Sequence, residues 1–135
     1  MDLIDTIHIS SSGLKVQQER LKVVSQNIAN AESVGTREGQ QPYRRKTISF
    51  KNALDKETGA QMVKTNKLST DKSDFVKKFE PAHPQADKDG YVFYPNVNSL
   101  SEMMDMREAR RGYEANLNVI ESSKAMLSQT ISLLR

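Results

Sequence analysis

The sequence predicts a mainly α chain, with one long helix at each end and a small, irregular, β-rich middle. Three observations carry that prediction. Met103, Met106, Arg110, Tyr113, Leu117, Ile120, Lys124, Leu127, Ile131 and Leu134 follow one another at alternating spacings of three and four. A period of 3.5 residues keeps one narrow stripe of a helix facing a partner, so this segment requires another helix along its length. Ile7, Leu14, Leu21 and Ile28, spaced by seven, form a weaker column at the other end. All four prolines and Gly35, Gly39, Gly59 and Gly90 fall between 35 and 95, and both residue types break helices. The chain therefore divides into residues 1–35, 36–98 and 99–135.

The first helix is expected from Leu3 to Asn30, closed by Ala31 to Gly35. Gly13 inside it costs about 1 kcal/mol relative to Ala, which suggests close approach of another helix or a break in this one. The other seam position, Ile4, Ser11, Gln18 and Ser25, is mostly small and polar, while Val16 and Val24 broaden the apolar face. Asn27 and Asn30 bracket Ile28-Ala29 at the helix end. Asn competes for backbone hydrogen bonds and is a poor interior residue. The pair reads either as amides available to a neighbouring chain or as an ordinary frayed C-terminus.

In the middle segment, Arg45–Phe50, Gln61–Leu68, Phe75–Phe79 and Tyr91–Tyr94 are strand candidates. Residues 51–74 are polar with little periodicity, which predicts a mobile loop. Asp87-Lys88-Asp89-Gly90 begins like a calcium loop, but Tyr-Val-Phe-Tyr-Pro follows in place of further oxygen ligands. A tight turn before a strand is the favoured reading. The last helix is expected from Ser99, where Ser99-Leu100-Ser101-Glu102 fits a capping box. Arg110 and Lys124 interrupt its seam, either with their stems along it and charges in water, or as register and partner selectors.

Composition excludes several chemistries. Without Cys there is no disulfide, thiolate metal site or cysteine nucleophile. No apolar run is long enough to span a bilayer, and the acidic start, Met1-Asp2-Leu3-Ile4-Asp5, lacks the basic region of a cleaved signal peptide. The net charge of +3 comes from residues 36–98, where Arg44-Arg45-Lys46 is the one tight basic cluster. A solvated basic face is favoured over nucleic-acid binding. His8 and His83 have no second ligand at metal spacing, and no nucleophile elbow or phosphate loop occurs. The sequence thus predicts no catalytic residue, no metal and no cofactor.

Ser12-Gly13-Leu14, Gln17, Arg20-Leu21 and Ser25 to Ala31 resemble the N-terminal signature of bacterial flagellar rod and hook axial proteins. Pro42-Tyr43-Arg44, Glu80 to Val92, Pro95 to Asn98, Glu102 to Met106 and Arg111 to Asn116 narrow the resemblance to the proximal-rod family of FlgC type. Residues 51–79 match it poorly, and Ala82 stands where that family often has Gly. The resemblance implies that the terminal helices pair antiparallel as a coiled coil in the inner rod, with the β-rich segment outside. It implies export through the flagellar type III apparatus without a cleaved signal, and a periplasmic location in the basal body. Implied partners are neighbouring rod subunits in a homo- and hetero-polymer, the rod-to-MS-ring adaptor, the MS ring and the export apparatus.

The residues expected to carry assembly and helix packing are Ile7, Leu14, Leu21, Asn27, Ile28, Asn30, Met103, Met106, Tyr113, Leu117, Ile120, Leu127, Ile131 and Leu134. Ile9, Val16, Val23 and Leu133 lie off the seams and are expected to stay uncovered in a single copy, which couples folding to polymerisation. The rival reading is a soluble coiled-coil adaptor or secretion chaperone that binds partner helices.

Overall fold

The computed structural model describes residues 3–35, 40–56 and 59–134; Met1, Asp2 and Gly39, discussed above, lie outside the described residues. Two long helices pack on each other, one small antiparallel hairpin lies along the first of them, and a second small hairpin precedes the second helix.

Helix α1 spans Leu3–Ala29. It stops where Asn30 turns its side-chain amide back onto the Gln26 carbonyl (2.8 Å), and the chain leaves through turns at Ala31 and Ser33. Its buried residues are Ser10, Ser12, Val16, Val23, Val24 and Asn27. Ile7, Leu14, Leu21 and Ile28 are only half-buried and flank that deepest line. Val16 and Val23, expected to be left uncovered, are 5% and 8% exposed. They are buried because α1 is covered on two sides, by the second helix and by the hairpin of the middle segment.

Helix α2 spans Ser99–Leu133. Its cap is one residue earlier than the capping box suggests. Asn98 accepts the amides of Leu100 (3.1 Å) and Ser101 (3.2 Å) on its side-chain oxygen. Glu102 is thereby released from capping and turns inward. Buried positions Glu102, Ala109 and Ser123, with half-buried Asn116 between the last two, form a column of small or polar residues seven apart. Met106, Tyr113, Ile120 and Leu127, also half-buried, form the large column beside it.

Strand β1 (Lys46–Leu54) pairs antiparallel with β2 (Gln61–Thr70), so most of the expected loop over 51–74 is a hairpin. The register shifts between Ser49 and Phe50, which leaves Asn66 as the extra residue of a bulge. Cross-strand pairing puts Ile48, Phe50, Leu54, Val63 and Leu68 on one face and Lys51, Lys64 and Lys67 on the other. Phe50, Leu54 and Leu68 are exposed, so neither face is under strong apolar selection, and that is why periodicity is weak here. The free edge of β2 meets α1: the Ser12 hydroxyl accepts the Val63 amide (3.2 Å) and donates to the Ile9 carbonyl (2.7 Å).

Strand β3 (Val76–Phe79) pairs with β4 (Tyr91–Tyr94). Asp87 closes the turn before β4 by accepting the amides of Asp89 (3.0 Å) and Tyr91 (2.9 Å). Gly90 takes φ of +81°, which only glycine adopts freely. The Asp87–Gly90 motif is thus a turn. The core is small, made of Val16, Val23, Val24, Val92 and Ala109.

Candidate assembly face and polar node

Contacts between the helices run in opposite order along α1 and α2. A Cβ on Gly13 would sit 2.9 Å from the Asn116 amide, and one on Gly112 would sit 3.1 Å from the Gln17 amide. Further along α1, Arg20 lies 3.4 Å from Asp105 and 3.3 Å from Glu108. Asn27 then meets Glu102 (3.0 Å). Gly13 therefore marks close helix approach, and no break: α1 is continuous through it.

At the end of this contact lies a buried polar node. Asn27 and Glu102 are each 1% exposed. The Asn27 amide nitrogen donates to the Lys46 carbonyl (2.8 Å) and to Glu102 (3.0 Å). Its oxygen accepts the Lys46 amide (2.9 Å) and the Tyr43 hydroxyl (2.9 Å). All four hydrogen-bonding positions of the carboxamide are satisfied. Toward Lys46 it pairs both backbone groups, as a neighbouring strand residue would. The other Glu102 oxygen accepts Arg45 Nε at 2.6 Å, and Arg45 reaches Asp71 (3.9 Å) and Asp105 (3.7 Å). Asn96 accepts the Arg45 amide (2.9 Å) and donates to the Ser73 hydroxyl (2.8 Å). One cluster thus joins α1, the start of β1, the segments after β2 and β4, and α2.

Electrostatics follow the geometry. Burial, and then the Glu102 charge, hold the Tyr43 phenol above its ordinary range. The Ser73 amide and hydroxyl, with Arg45 behind them, lower the Asp71 carboxyl. The hydrogen bond to Glu80 raises Tyr94.

The basic cluster is not a solvated face. Arg45 is in the node, Arg44 stacks over Phe75 (4.2 Å) and donates to the Ser73 carbonyl (3.2 Å), and Lys46 donates to Gln26 (3.2 Å). Its bonding role could not be read locally because each partner is 19 or more residues away. His83 accepts the Gln85 amide (3.1 Å) within its loop, and His8 is exposed on α1.

Of the residues expected to pack, Asn27 bonds inside the chain and Asn30 caps its own helix. Met103, Leu117, Ile131 and Leu134 are 49%, 38%, 60% and 84% exposed. Leu100, Met104, Val119, Met126 and Leu133 are exposed with them. Glu102, Ala109, Asn116 and Ser123 make the contact that the seam residues alone did not disclose. The signal was present as a seven-residue column of small and polar side chains.

Two families match this chain at its two ends. Residues 7–35 match the one described as flagella basal body rod protein, and residues 88–133 match the flagellar basal body rod FlgEFG protein C-terminal family. These segments hold α1 and α2, so the helix pair carries the hallmark of flagellar rod proteins. The flagellar basal-body rod protein FlgC of Agrobacterium fabrum is 51% identical over 127 residues, covering 94% of this chain and 91% of that one. FlgC of Borreliella burgdorferi is 40% identical over 100% of this chain and 99% of that one, and FlgC of Salmonella typhimurium 37% identical over 98% of each. The chain belongs to the FlgC family of flagellar basal-body rod proteins.

Proposed function

We propose that this chain is a structural subunit of the proximal rod of the bacterial flagellar basal body, transmitting torque without catalysis. Its helices act as an antiparallel coiled coil in the inner rod, residues 1–35 and 99–135, and residues 36–98 lie outside them. The observation that carries this reading is the set of large apolar side chains left exposed along α2, Leu100, Met103, Leu117, Ile131 and Leu134 among them. Fully burying one such side chain is worth roughly 1.5–3 kcal/mol. Several of them along a helix of 35 residues favour lateral packing against sister helices over a single copy in water. Interdigitated helices resist shear because sliding opens cavities, which suits a shaft under torque.

In this reading the partners are neighbouring rod subunits, the rod-to-MS-ring adaptor, the MS ring and the export apparatus. The protein crosses to the periplasmic rod by flagellar export. The test is biochemical. Intact basal bodies isolated from the source bacterium are expected to retain the protein through high-salt washing. Its release by salt, or its recovery only as a free complex with an exported substrate, would favour the adaptor or chaperone instead.

A further inference from the structure

We infer that the Asn27–Glu102–Arg45 node is a register lock. It selects one alignment of α1 against α2 and ties the β1–β2 hairpin to that alignment. The apolar contacts cannot make this selection alone. Ile7, Leu14, Leu21 and Ile28 repeat every seven residues, and so do Met106, Tyr113, Ile120 and Leu127. A slip of seven sets large apolar side chains against large apolar side chains again. The glycine contacts are also permissive: Gly13 and Gly112 allow close approach by any occupant, and a slip of seven brings small Ser123 opposite Gly13.

The node does not repeat. A slip of seven brings Ala109 opposite Asn27 and carries Glu102 away from both Asn27 and Arg45, because Arg45 moves with the Lys46 backbone that Asn27 holds. Glu102, 1% exposed in the observed alignment, loses both partners in the slipped one. Removing one partner of a buried ion pair is costly, although the pair itself adds little stability over an apolar replacement. Such a group discriminates between alignments more than it stabilises any one of them. Asn27 extends the selection to the hairpin by taking both backbone bonds of Lys46.

The chain has no cysteine, so Lys22→Cys with Glu121→Cys supplies its only two thiols, both on exposed helix positions. Nitroxide labels there report the helix alignment by pulsed dipolar spectroscopy on the purified full-length chain. A slip of seven displaces one label by about 10 Å along the axis. The labelled chain, otherwise unaltered, is expected to give one distance. Glu102→Gln and Asn27→Leu are each expected to add a second population shifted by several ångströms, with the helical circular dichroism retained. The apolar combination Asn27→Leu, Arg45→Met and Glu102→Met is expected to stay helical and to show both populations. A single unshifted distance in the helical variants overturns the lock. So do two distances without any node substitution, and so does loss of helix in the apolar combination, which would make the node a stabilising element.

Discussion

Asn27 places a four-way hydrogen-bonding group in a site that is 1% exposed, and no other side chain of its length does so with two donors and two acceptors. Asn27→Asp removes both donors and sets a second carboxylate about 3 Å from Glu102. Glu102→Ala leaves Arg45 and the Asn27 amide without their acceptor. Each is expected to cost about 3–5 kcal/mol, read as a lower midpoint in urea unfolding followed by helical circular dichroism. Surface ion pairs provide the control. Glu108 is largely exposed, and Glu108→Ala is expected to cost well under 1 kcal/mol. A second expectation concerns alkaline pH. The Tyr43 phenol is raised in the folded chain, so its contribution is complete below the ordinary tyrosine value of 10.0 and is lost as pH rises through the raised one. Tyr43→Phe is expected to flatten the fall in melting temperature above pH 10. Asn27 stood out in the sequence because Asn is a poor helix interior residue. Its partners did not, because Lys46 and Glu102 lie 19 and 75 residues away.

At the scale of elements, the two helices were readable to within one residue, because an apolar period recurs along each and Gly35 and Pro95 bound their inner ends. Which stripe of α2 faces α1 was harder. The large seam residues drew attention, yet the closest approach runs along Glu102, Ala109, Asn116 and Ser123, where small volume matters more than hydrophobicity. The strands of the β1–β2 hairpin were legible as Arg45–Phe50 and Gln61–Leu68, but both faces are partly in water, so weak alternation hid the extension of β1 to Leu54 and made the stretch between them read as loop. Gly13→Leu is expected to force Asn116 off its bond to the Gly112 carbonyl (2.8 Å) and to cost about 1–3 kcal/mol in thermal unfolding. Ser12→Ala removes the acceptor for the Val63 amide, and hydrogen exchange at that amide is expected to quicken while the β1–β2 ladder stays protected.

For the whole molecule, a small core and the uncovered apolar residues of α2 point outward to neighbours more than inward to a free-standing globule. Ile131 and Leu134 are 60% and 84% exposed, so changing them leaves the packing within one copy intact while altering the uncovered apolar surface. The most direct measurement is therefore complementation, with Ile131→Asp plus Leu134→Asp as the sole copy in the source bacterium. The expected result is wild-type protein level, no incorporation into isolated basal bodies and no swimming. Normal swimming, with the altered protein present in washed basal bodies, would contradict the uncovered apolar residues of α2 as the surface on which the rod is built.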